Sequence, residues 1–230
     1  AVAPGSHLLP GGAALEAGHV LVDAVQLAGE TGTWDEVQFQ REFDAPPVFL
    51  ASLQELANES SSLPQSPSSP WLSVAVDNVS ESGANIALER SSVTDGSIDS
   101  AETAGWIALD AGQGQFASGA GFINWTAIVS GLSAQPWDDE CSPAPGLEIY
   151  GIDAVIVGSL RSRTHGGGGW LRLCENGGPG LLVDQDVETN AIRGQGDEAA
   201  SAWVLSKGFH TRLLELAGKL FSDRFEEDEP

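Results

Sequence analysis

The sequence predicts an all-β protein built as two tandem antiparallel β-sandwich modules and closed by a short C-terminal α-helix. Three observations predict it. Apolar and polar residues alternate at period two in short runs. The runs recur every 10 to 15 residues or so, between clusters of Gly, Ser, Asn, Asp and Pro. Landmarks of residues 1–112 then return in the same order in residues 113–208.

The clearest strand is WLSVAVDN at 71–78, where Leu72, Val74 and Val76 fall on one side and Ser73, Ala75 and Asp77 on the other. Val37 and Phe39 in TWDEVQFQ, and Ile86 and Leu88 in GANIALER, repeat that pattern. The duplication is read from four pairs in order. TWDE at 33–36 answers PWDDE at 136–140, and FLASL at 49–53 answers VIVGSL at 155–160. PWLSV at 70–74 answers GWLRL at 169–173, and the closing Glu102…Trp106 answers Glu198…Trp203. Offsets drift from pair to pair, as insertions confined to loops would make them.

These landmarks place module one at 1–112, module two at 113–208, and a helix with an acidic tail at 209–230. GQGQFASG at 112–119 reads as the join between modules, and NESSSLPQSPSSP at 58–70 as an exposed, mobile loop. Trp71, Trp106, Trp170 and Trp203 recur at matched places, which predicts core packing. After Gly208 the period changes, because Leu213, Leu216, Ala217, Leu220 and Phe221 share one helical face. Gly218 and the acidic end FEEDEP weaken that helix, so it requires a packing partner.

Charge narrows the function. Thirty-three Asp and Glu stand against ten Lys and Arg, a net charge of −23 that repels phosphate backbones and anionic lipid. Nucleic-acid and membrane-surface binding are therefore excluded as expectations. The acidity suits either a salty medium that screens it or ordinary solubility. No apolar run approaches the roughly 20 residues that span a bilayer. The chain begins at Ala1, as a segment processed from a longer secreted or cell-surface protein would. Cys141 and Cys174 lie in no zinc-binding spacing and predict one disulfide. Asn58, Asn78 and Asn124 head three N-glycosylation sequons.

No catalytic pattern emerges. His7, His19, His165 and His210 sit in dissimilar contexts, and neither GQGQFASG nor THGGGG has the surroundings of a phosphate loop. Asp184 and Asp186, like Asp138, Asp139 and Glu140, supply the hard oxygens calcium prefers, so calcium is the one cofactor the chain would suit. Trp34 and Trp137, each followed by acidic residues, are candidate platforms on which a sugar ring stacks.

The order of Gly18, Trp34, Val37, Phe39, Phe43, PPVFLASL at 46–53, VDNVSESGANIAL at 76–88 and AETAGWIALDAG at 101–112 resembles the H-type lectin domain. In tandem it is similar to the repeats of mannose-sensitive haemagglutinin pilus (MshQ-like) surface proteins. Module two is nearer that group, with Cys141 after Trp137 and GGGGWLRLCENGGPGLLVDQDVE at 166–188. The resemblance covers residues 8–208. It implies a β-sandwich that associates as trimers and holds sugars between subunits through an aspartate, an arginine and an aromatic or histidine side chain. Asp23 stands at the aspartate position. The arginine position is Ser73 in module one and Arg172 in module two, and ERSS at 89–92 has no aromatic or histidine residue. The expected function is thus non-enzymatic extracellular recognition or adhesion, through glycan binding by Asp23, Trp34, Trp137 and Arg172. The alternative is a structural subunit of a cell-surface or filamentous assembly that has lost the sugar site. Partners are glycans or other surface subunits, in a homo-oligomer or larger assembly.

Overall fold

The computed structural model describes residues 2–27, 32–59, 69–91, 96–118, 121–129, 131–136, 141, 143–144, 147, 154–164, 169–176, 179–184 and 197–206. They are all-β, as the alternation predicts. The C-terminal segment 209–230 lies outside the described residues.

A first sheet runs β1 (Gly5–Leu8), β2 (Ala14–Val22), β8 (Glu102–Leu109), β5 (Val48–Leu53), antiparallel throughout. A second is centred on β7 (Gly83–Arg90), which pairs parallel with β3 (Val25–Gln26) and antiparallel with β4 (Asp35–Gln38) and β6 (Leu72–Asp77). In the third, β9 (Gly112–Ser118), β10 (Gly121–Ile128), β15 (Glu198–Leu205) and β12 (Val155–Leu160) pair successively, in the antiparallel order of the first sheet. The ladder continues from β15 to β11 (Ser133–Pro136), which is parallel to β14 (Pro179–Asp184), and β14 pairs antiparallel with β13 (Trp170–Glu175).

Each alternating run divides its side chains between two faces. Val37, Leu72, Val76, Ile86 and Leu88 turn inward and join Phe49 and Trp106 in one core between the first and second sheets. Leu132, Ala134, Leu181, Val183, Ala200, Ala202 and Val204 form a second core within the third. A further core joins the two parts of the chain. Leu15, Val48, Leu50 and Leu109, on the other face of the first sheet, meet Trp125, Ala127 and Leu205 of the third. Both faces of β5 and β8 are therefore buried, which is why PPVFLASL and GWIALDA read as nearly continuous apolar runs. The Ser201 hydroxyl donates to the Phe49 carbonyl across this contact at 3.0 Å.

Two expectations change. Gly112–Ser118 of GQGQFASG form β9, paired along its length with β10, and not a free join. It tolerates so much glycine because Trp125 lies against it: a Cβ on Gly114 would stand 2.8 Å from the indole. Trp203, expected in a core, is half-buried and packs beside one. In the register Ala51 faces Trp106, and Val157 faces Trp203. On β15, Ala202 and Val204 enter the core of the third sheet while Trp203 between them points the other way, against the inter-sheet core. Trp71, at 36 % exposure, is not a core residue either, and the fully buried indole is Trp125.

Buried carboxylates pin the loops. Glu16 accepts the Gln40 N–H at 2.8 Å, Glu102 accepts those of Ala57 and Asn58 at 2.9 Å, and Glu198 accepts that of Thr164 at 3.1 Å. Glu102 and Glu198 open β8 and β15, so the matched glutamates have matched tasks. Residues 58 and 59, expected to be loop, are held in this way, and 60–68 lie outside the described residues.

The disulfide expected between Cys141 and Cys174 is formed. By the chain-entropy relation a loop of this separation contributes about 3 to 4 kcal/mol. Reduction with dithiothreitol should lower the urea midpoint of unfolding accordingly, and an unchanged midpoint would contradict that. No helix among the described residues is long and apolar enough to cross a membrane.

Candidate functional site

The outward face of the second sheet carries the chemistry. Its side chains come in rows set by register, since Ser73 faces Glu89 and Glu89 faces Gln26. Ala75 faces Ala87 in the next row. Asp77 faces Asn85 and Asn85 faces Glu36 in the third, and Gly83 faces Gln38 at the end.

The first row is sealed from the second half of the chain. Arg163 Nε donates to Glu89 Oε1 at 2.9 Å, its Nη2 donates to the Leu27 carbonyl at 3.1 Å, and the Gly169 N–H reaches Glu89 Oε2 at 3.3 Å. Both charged side chains are almost wholly buried, at 7 % and 6 % exposure. Burial pushes the Glu89 carboxyl above the ordinary value. The Arg163 charge and hydrogen bond and the Gly169 N–H pull it back, and the Glu198 charge adds to the rise. Glu198 itself accepts the Ser162 hydroxyl. The cavity left among these groups is about 10 Å³, on the scale of a single water.

The second row holds Trp34. Its indole packs half-buried over Ala24, Ala75 and Ala87. It is therefore seated on the sheet and not a free-standing platform. Asp35 fixes the approach, because its Oδ2 accepts the N–H groups of Asp23 at 2.9 Å and Ala24 at 3.0 Å. This brings Asp23 and Trp34 into one neighbourhood. Asp35 was not singled out from sequence, although it lies inside the repeated TWDE landmark.

The third row is open. A groove of about 410 Å³ is bordered by Glu36, Gln38, Asn78, Ser80, Ser82 and Asn85. Gly83 belongs at its floor, since a Cβ there would stand 2.3 Å from the Val37 carbonyl oxygen. Asn78 turns the chain from β6 to β7 with a φ of 49°, a conformation asparagine tolerates better than most residues. Ser80 Oγ donates to the Gly83 carbonyl at 3.1 Å and braces that turn. Among the described residues no protein group hydrogen-bonds the side chains of Glu36, Gln38, Asn78 or Asn85. The Glu36 carboxylate and amides that both donate and accept thus line one groove open to a ligand.

The other expected residues are elsewhere. Arg172 is exposed on β13, in the third sheet, with its guanidinium 5.7 Å from the Trp170 ring centre. Trp137 and Asp186 lie outside the described residues, as does the side chain of Asp184, whose backbone ends β14 opposite Trp170. Among the described residues no group of three or more His, Cys, Asp or Glu could hold a metal ion. Asn58 Nδ2 donates to the Ser100 carbonyl and to Glu102, both at 2.7 Å, so a glycan on that nitrogen would have to displace a hydrogen bond. Asn124 is exposed on β10, where its Oδ1 accepts from Gln115, and Asn78 borders the groove.

No protein-family model, curated protein or solved structure matches this chain.

Proposed function

We propose that the chain is a non-enzymatic extracellular recognition protein made of two H-type-lectin-like sandwiches, and that it binds glycans on the open face of the second sheet. The observation that carries this reading is the unsatisfied polar groove continuing from a seated indole. Trp34, just before β4, and Glu36 on its outward side are two residues apart, about 7 Å along the chain. A pyranose ring needs that combination, an apolar surface for its C–H face and paired donors and acceptors for its vicinal hydroxyls. The tandem organisation is supported by the pairing order, in which β9–β10–β15–β12 repeats β1–β2–β8–β5. It is supported again by a parallel and an antiparallel neighbour on β14 as on β7.

A glycan array probed with and without calcium tests the reading. Specific sugars should be retained, and Trp34→Ala or Asn85→Ala should each weaken retention about tenfold. Retention of no sugar by the intact chain would sink it. The second reading, an assembly subunit without a sugar site, draws on a different observation. Ser73, where the resemblance asks for an arginine, lies in the row that Arg163 seals from within the same chain. An intact chain that binds no sugar yet forms large particles in light scattering would favour it.

A further inference from the structure

Among the described residues β9 is the longest strand paired on one side only, seven residues bonded to β10 and to nothing on the other edge. Every second residue of such an edge points an N–H and a C=O outward, where another strand can meet them. Edges are ordinarily guarded by charge, by shortness or by cover. The other edges of this fold follow that rule. β4 carries Asp35 and Glu36, β6 ends in Asp77, and β13 holds Arg172 and Glu175. β1 and β3 are four and two residues long, and β5 and β12 border the groove where the two halves of the chain meet. β9 has none of these guards among the described residues.

Charge selects the occupant. Residues 111–137 form the longest stretch of the chain without a charged side chain, and β9 and β10 lie inside it. A second copy brings the same net charge of −23, so two copies meet with least repulsion where neither carries charge. Beside this edge Phe122, opposite the small Ala117, is 68 % exposed. A large apolar side chain left open next to an unpaired, uncharged edge marks a surface that takes a partner.

The residue order of β9 is also complementary to itself. In an antiparallel pair of β9 strands centred on Gln115, that residue faces its own copy and Gln113 faces Ala117 of the second copy. These side chains are uncharged and exposed. On the other face Gly114, whose missing side chain makes room for Trp125, faces Phe116 of the second copy, and symmetry makes the same pair twice. An aromatic ring beside an edge glycine covers the backbone that the glycine leaves bare. Phe116 is already held on that face by Trp125, with 6.3 Å between ring centres. We propose that two copies of the chain associate through a two-fold, antiparallel β9 seam that joins their third sheets into one.

Light scattering of the full chain from about 10 to 500 µM should show the mass rise from one copy to two and stop there. Gln115→Glu and Gln115→Lys should each raise the dissociation constant at least about tenfold, since either sets like charges face to face across the two-fold axis. The lysine variant distinguishes this seam from any other surface, because it lowers the net charge and would tighten association elsewhere. In the unaltered chain the amides of 112–118 should exchange at least about tenfold more slowly at the highest concentration than at the lowest, with 14–22 unchanged. A monomer throughout, a trimer, a dimer that Gln115→Lys leaves as tight, or β9 exchange independent of concentration would each overturn the proposal.

Discussion

Replacing Arg163 with methionine is expected to remove about 3 to 5 kcal/mol of unfolding free energy at pH 7, because it leaves Glu89 buried and charged without its guanidinium. The loss should shrink in acid. In the folded protein burial holds the Glu89 carboxyl above its ordinary 4.5, the value it regains on unfolding. Between the two values the folded state binds more protons, so this group's contribution to stability falls as pH rises through that window. Without Arg163, two of the influences that restrain the rise are gone, and the window extends upward. Urea unfolding of both proteins at pH 5 and pH 7 should therefore give the smaller difference at pH 5. Equal differences at both pH values would show that Glu89 does not carry the effect.

Glu102→Ala is the second large loss. The carboxylate is fully buried and satisfies the N–H groups of Ala57 and Asn58 and the Asn58 amide, which in turn holds Ser100. Deleting it leaves three donors without an acceptor, at about 1 kcal/mol or more each, so a loss of about 3 to 4 kcal/mol is expected in chemical denaturation. Glu36→Ala, at the exposed groove, is the control and should stay within about 0.5 kcal/mol. If the halves are copies, Glu198→Ala should resemble Glu102→Ala. A Glu102→Ala protein as stable as the Glu36→Ala control would contradict this account of how the loop after β5 is held.

Much of the fold is legible because alternation is local. Leu72, Val76, Ile86 and Leu88 were assigned to one side of their strands by period alone and meet in one core. Errors arose where a local pattern has two readings. Trp106 and Trp203 look alike in sequence, yet Trp106 enters the core between the first and second sheets while Trp203 faces the contact between the two parts of the chain. GQGQFASG has the composition of a linker, and only Trp125 packed on Gly114 shows why a strand there needs glycine. The candidate site was partly visible. Trp34 and Asp23 were named, whereas Gln38, Asn78 and Asn85 are ordinary polar residues until β4, β6 and β7 set them around one groove.

By itself the sequence determined the all-β class, the inward side of β4, β6 and β7 and the pairing of its two cysteines, since these follow from residue order and from there being only one way to pair two thiols. Tertiary structure alone decided which outward surfaces stay open. Glu89 is closed over by Arg163, 74 residues away, and Phe49 is tied to Ser201, 152 residues away, while among the described residues the face beyond Trp34 borders an open groove. A strand's own side chains state how apolar its two faces are; what covers them depends on where distant segments come to rest.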